Sequence, residues 1–196
     1  MQTVELRAVE SGGYGLRTVF QSAGGKTRLI EGVLAPGGEI GPHTHPSGED
    51  CALVLSGVLT YWVSNSETIS VLPGEVVFGW QQVIHGYRND SSEPVHLLIF
   101  STPGNNGLEY PGDGDAMVRH LPGAERKLTS AEGERQVCSE YSCFSFVTVG
   151  EAYADCGGSL VVFVDSGEKR AYVFDREPVR LLPTRDKRLL RYAAQS

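Results

Sequence analysis

The sequence is most informative at first through what it lacks. No stretch of its 196 residues approaches the roughly 18 consecutive apolar positions that a membrane-spanning helix needs, so no membrane partner is expected. The opening Met1-Gln2-Thr3-Val4-Glu5-Leu6-Arg7 has no basic region followed by an apolar core, so no secretory signal is expected and the cytoplasm is the expected compartment. Only four cysteines occur (Cys51, Cys138, Cys143 and Cys156), with no CxxC pair. That is too sparse for a disulfide framework, and free thiols are the expectation. Basic clusters are missing as well: 17 Lys and Arg against 24 Asp and Glu give a net charge of −7. With no helix-turn-helix pattern either, nucleic acid is not an expected partner. No glycine-rich loop stands between a strand and a helix, so nothing cradles a phosphate. The Asn89-Asp90-Ser91 sequon carries no weight without secretion.

What remains is a series of short apolar or alternating runs separated by Gly, Pro, Asn and Ser. Strands are expected at Tyr14 to Gln21, Thr27 to Leu34, Cys51 to Leu55, Val58 to Val63, Ile69 to Leu72, Val76 to Phe78, Val83 to Tyr87 and Val95 to Phe100. Such spacing is the pattern of an all-β sandwich or barrel. Residues 1–25 read as an arm and first strands, 26–104 as the barrel, and 105–135 as a polar linker carrying His120 and a short helix around Ser130 to Glu134. Residues 136–196 form a second β-rich segment. Its strands are expected at Phe144 to Val149, Ser159 to Val164, Arg170 to Phe174, Val179 to Leu182 and Lys187 to Tyr192, with Asp165-Ser166-Gly167-Glu168 as a hairpin turn.

Three of the five histidines fall between Gly37 and Asn89. His43 and His45 are two apart, so on a strand they leave the same face. A nearby carboxylate and His85 from a distant strand would complete a mixed nitrogen and oxygen site for one divalent ion. The spacing Gly37, His43, His45, Asp50, Gly57 resembles the first motif of the cupin superfamily. Gly74, His85 and Asn89 resemble its second, with Trp80 and Gln82 in place of that motif's proline and glycine. The resemblance covers about residues 26 to 104 and implies a double-stranded β-helix (jelly-roll) barrel with a metal in its mouth. For the C-terminal half it leaves two possibilities: a degenerate second barrel, or strands completing the first barrel and a dimer interface. Homodimers, common among cupins, are expected.

The carboxylate ligand is left between Asp50 and Glu49, because a one-residue slip on a strand turns a side chain to the opposite face. Trp80, Tyr61 and Tyr87 are candidate pocket walls. Gln82 is a candidate for orienting substrate, and His96 for acid/base work beside the metal. Arg88 and Glu75 read as solvated charges, and Cys51 as a buried thiol. The resemblance implies a metal-dependent enzyme acting on a small organic molecule, with Fe(II) favoured over Mn, Ni or Zn. A dioxygenase-type oxidoreductase on an aromatic or enol/diketone-like substrate is the first expectation. Alternatives are a non-redox isomerase, lyase or hydrolase, and a barrel that binds or senses a small ligand without turnover.

Overall fold

The computed structural model describes residues 1–8, 12–104, 106–110, 126–133, 135–150, 159–179, 182 and 186–195. His120, Cys156 and Glu134 lie outside them. Among the described residues the regular secondary structure is almost entirely strand, and no helix is long and apolar enough to cross a membrane. The strands, numbered in chain order, form three antiparallel sheets. The front sheet runs β4 (Glu39–His43), β9 (His85–Arg88), β6 (Leu59–Trp62), β7 (Thr68–Val71). The middle sheet runs β11 (Lys127–Leu128), β8 (Val76–Gly79), β5 (Glu49–Ser56), β10 (Val95–Thr102), β3 (Arg28–Leu34), β2 (Tyr14–Gln21). The back sheet runs β1 (Gln2–Glu5), β15 (Arg170–Asp175), β14 (Leu160–Asp165), β16 (Arg188–Ala194), β13 (Ser142–Thr148), β12 (Gln136–Cys138).

Front and middle sheets close over one apolar core to make the barrel. From β5, Ala52 and Val54 enter it, meeting Leu97 and Ile99 of β10, Leu59 and Tyr61 of β6, and Tyr87 of β9. The alternate residues Cys51, Leu53 and Leu55, with Leu98 and Phe100, point the other way and pack on Phe144, Val162, Leu190 and Tyr192 of the back sheet. Both strands therefore read as unbroken apolar runs, because a strand covered on both faces has no solvated side to alternate towards. The turn after β5 needs Gly57: its φ is 79°, and a Cβ there would lie 2.6 Å from the Pro94 carbonyl oxygen. Only glycine meets both conditions cheaply.

The N-terminal arm and the C-terminal segment belong to one sheet, since β1 pairs with β15. β11 departs from the expected linker and joins the edge of the barrel beside β8, and the expected short helix is a 3₁₀ turn at Ser130–Glu132. Of the expected last strands, Val179 and Leu182 are buried against the outer face of the back sheet, below Val161, Phe163 and Phe174. The expectation of free thiols is corrected for two cysteines. Cys138 and Cys143 face each other across β12 and β13 and are joined as a disulfide. Sequence spacing hid this, because a tight hairpin, and not a CxxC turn, brings them together. Cys51 is free and buried.

The interface between barrel and back sheet is mostly aliphatic with an aromatic cluster within it. The Phe144 ring sits 5.4 Å from Phe78, 5.3 Å from Phe100 and 5.1 Å from Tyr192. Such pairs add to the area term when they meet edge to face. Polar contacts lie at one margin: Tyr192 Oη is 2.7 Å from the Thr102 hydroxyl, and Ser142 donates to Glu49. Burial outweighs the opposing pull of the Ser142 and Ser139 hydroxyls and pushes the Glu49 carboxyl up from 4.5 to about 7, with Asp50 and Glu140 adding to it.

Phe144→Ala is expected to cost about 3–5 kcal/mol, read as a fall in the urea midpoint; a loss below about 1 kcal/mol would contradict tight docking of the back sheet on the barrel. Glu49 sets a pH dependence of definite sign. A carboxyl raised on folding stabilises the folded state at low pH, and that contribution is lost as pH rises through about 7. In metal-free protein, Glu49→Gln should therefore gain stability relative to the parent between pH 5 and pH 8, by about 3 kcal/mol at full ionisation. Parallel urea curves with a constant offset at both pH values would refute it.

Candidate metal centre

His43 ends β4 and pairs directly with His85, the first residue of β9. His45 follows at a short bridge in which the Thr44 and Glu109 main chains exchange hydrogen bonds of 2.8 and 3.0 Å. The period of two turns His43 and His45 inward together, and the register of β4 on β9 brings His85 across from them. Ring centroids lie 4.4 Å apart for His43 and His85, 5.0 Å for His45 and His85, and 5.1 Å for His43 and His45. One ring nitrogen from each lies within 4.8 Å of the other two, and all three residues are buried.

The second nitrogen of every ring is held by the main chain. Nδ1 of His43 is 2.8 Å from the Gly41 carbonyl oxygen, that of His45 is 2.8 Å from Gly107, and that of His85 is 2.9 Å from Val83. A carbonyl only accepts, so each Nδ1 carries the proton and each Nε2 presents a lone pair. Nε2 of His45 and of His85 are buried without a hydrogen-bond partner. Buried polar atoms are rarely left unpaired; imidazoles anchored at Nδ1 and open at Nε2 are what a divalent cation takes up. Burial and the neighbouring imidazoles hold His85 well below its ordinary pKa, and burial holds His43 below as well. Both rings thus stay neutral and able to ligate. Burial also pulls on His45, but the adjacent Asp50 carboxylate overcomes it and raises that ring's pKa. The donor set fits a divalent metal ion.

Of the two carboxylates weighed for the site, Asp50 faces it and Glu49 does not. Asp50 Oδ2 stands 3.3 Å from His45 Nε2, and its Oδ1 accepts from Asn106 Nδ2 at 3.3 Å. Glu49 is one residue earlier on β5, so the pleat turns it to the back sheet and Ser142. His96 is corrected for the same reason. It alternates with the inward-facing Val95 and Leu97, so it leaves the barrel and bonds Glu31 Oε1 at 2.7 Å, while Arg17 holds the other oxygen of Glu31. It has no part beside the histidines. Trp80 is corrected too: it stacks on Phe78 at 4.6 Å and 5° on the back-sheet side, in step with the outward-facing residues of β8.

Tyr61 and Tyr87 do stand near the histidines, their ring centroids 6.4 and 6.2 Å from that of His85. Both are buried, so they form the floor of the site. Gln82 adopts a left-handed φ of 58°, and its main-chain N–H donates to the His45 carbonyl at 2.9 Å. Its link to the site thus runs through the backbone.

Two contributors escape sequence reasoning. Arg126 is fully buried beside Tyr61, its guanidinium donating to the Phe78, Val63 and Ile84 carbonyls at 3.0, 3.2 and 2.8 Å. It lies in a polar stretch without periodicity, so no sequence signal marks it. Gly79 leaves room for His85: a Cβ there would be 2.6 Å from the ring's Nε2 and 2.4 Å from the Asp50 carbonyl oxygen. A glycine ending an apolar strand is a recognisable sign of such close approach.

Comparison with known proteins agrees with this geometry. The family model described as "Cupin domain" matches residues 31–101. No curated protein matches the chain. Among solved structures, AerE from Microcystis aeruginosa is 14% identical, with 99% of both chains covered and a TM-score of 0.62, a likeness of fold along the whole chain. A conserved protein with a double-stranded β-helix domain from Klebsiella pneumoniae is 24% identical over 55% of this chain and 92% of its own, with a TM-score of 0.49. A recombinant oxalate oxidase in complex with glycolate is 18% identical over 50% of this chain and 55% of its own, with a TM-score of 0.43. The matched stretch, the two-sheet barrel and the histidine cluster coincide, and residues 31–101 are a cupin domain.

Proposed function

We propose that the barrel binds one divalent metal ion and is the active site of an enzyme acting on a small organic molecule, by an O2-dependent oxidation of dioxygenase type. The observation that carries this reading is the set of three buried imidazoles, each protonated at Nδ1 by its bond to a carbonyl and converging through Nε2. His43, His45 and His85 would hold the ion, with Asp50 as a fourth, weaker ligand through Oδ2. Bound there with Fe(II) favoured, it would supply positive charge, open coordination positions and, with O2, redox chemistry.

The protein's own groups then define what substrate suits the site. Three neutral imidazoles and a single carboxylate leave the centre short of negative charge, which favours an enolate or a diketone-like molecule bearing adjacent oxygens. Tyr61, Tyr87 and Arg126 seal the floor and exclude water from below. Among the described residues, Asp50, steadied by Asn106, is the carboxylate placed to accept a proton from a substrate hydroxyl. With Trp80 turned away, the aromatic character of the site rests on Tyr61 and Tyr87 and on the exposed Tyr110, whose ring lies 6.0 Å from that of His43.

Elemental analysis and substrate-dependent O2 uptake on the same preparation test this. Near-stoichiometric iron with uptake on enol or diketone compounds is the expected result; zinc, nickel or manganese with no uptake would move the reading to isomerising, eliminating or hydrolytic chemistry. Ligation has its own test. His85→Ala should abolish stoichiometric metal, and Asp50→Ala should weaken it by about 10–100-fold, whereas Glu49→Gln should leave affinity unchanged. Full metal content in His85→Ala would remove the assignment.

A further inference from the structure

Outside the barrel, a cleft of 640 Å³ separates the loop after β8 from the β12–β13 hairpin. Its volume lies within the range of small-molecule sites. The cleft is on the opposite side of the middle sheet from the histidines, because Asp50 and Glu49 leave β5 by opposite faces. Glu49 is one of its walls and is only 1% exposed. One Glu49 oxygen accepts from the Ser142 hydroxyl, the Ser139 hydroxyl also stands beside the carboxyl, and Oε2 is buried with no partner within 3.5 Å. Trp80 is another wall. Phe78 stacks on its ring, which is only partly buried. Among the charged groups of the lining, Arg135 is already paired with Glu132 at 2.5 Å, while Glu49 and Glu140 are both acidic.

A buried carboxylate oxygen without a donor is costly and calls for an N–H or O–H group. The acidic lining selects a cation over an anion, and an indole face accepts a ring or a cation. We propose that this cleft is a second ligand site, binding a small aromatic amine with its ammonium on Glu49 Oε2 and its ring against Trp80. Binding here requires neither an ion in the barrel nor the reaction proposed there.

The chain has two tryptophans, so in a Trp62→Phe background Trp80 alone reports occupancy by fluorescence. Benzylammonium, benzyl alcohol and benzoate, titrated near pH 8 with EDTA present, separate the contributions. The expected result is saturable quenching by benzylammonium, at least about tenfold tighter than by either other probe. Adding Glu49→Gln should weaken benzylammonium by a similar factor and leave benzyl alcohol unchanged. Equal responses to the three probes, no saturation, or an unaltered affinity in Glu49→Gln would overturn the proposal. So would benzylammonium binding that appears only when metal is restored, since that places the amine on the histidine centre. The probe comparison alters no residue of the cleft and stands even if Glu49→Gln fails to fold.

Discussion

The pleat of β5 governs this molecule. Between Glu49 and Leu55, successive side chains alternate between two buried environments: Asp50, Ala52 and Val54 serve the barrel, and Glu49, Cys51, Leu53 and Leu55 serve the back sheet. A strand repeats every two residues, so the two sets cannot be exchanged or shifted singly. The apolar positions thereby set which carboxylate stands beside the histidines and which is buried behind them. β10 repeats the division, with Leu97 and Ile99 inward and His96, Leu98 and Phe100 outward. The position of the histidine cluster's carboxylate and that of the cleft's carboxylate are consequences of one strand read from its two faces.

Inside the barrel the polar groups share a logic of main-chain anchoring. Each histidine spends Nδ1 on a carbonyl, and Arg126 spends its guanidinium on three. These bonds fix orientation without placing a second acid near the centre, which leaves Asp50 as the carboxylate at hand among the described residues. The charge of Arg126 also opposes protonation of His85. Burial, usually an expense for a polar site, here keeps the imidazoles of His43 and His85 in the neutral form that binds metal. The loop of residues 80–83 serves two sites. Gln82 and Val83 tie its backbone to His45 and His85, while Trp80 and Gln82 wall the cleft.

Much of the barrel was legible because its signals are local. Gly57 and Gly74 mark turns with positive φ, and the runs at Tyr14 to Gln21, Thr27 to Leu34 and Val95 to Phe100 coincide closely with β2, β3 and β10. The failures share a different character. His96 and Trp80 sit close in sequence to the motif yet face away from it, since nearness along a strand says nothing of the face. The Cys138–Cys143 bond depends on a hairpin register, and the place of Arg126 on a long-range insertion beside the barrel.

The sequence by itself determined an all-β chain, the positions of most barrel strands, and the pairing of HxH with a distant histidine as one candidate site. Those properties follow from side-chain period, turn chemistry and residue type, which act over a few neighbouring positions. Only the tertiary structure turned Asp50, and not Glu49, toward the histidines, joined β1 to the C-terminal sheet, and laid that sheet against the barrel to enclose a second cleft. Each of these depends on which two surfaces bury one another, a quantity set by residues scores of positions apart.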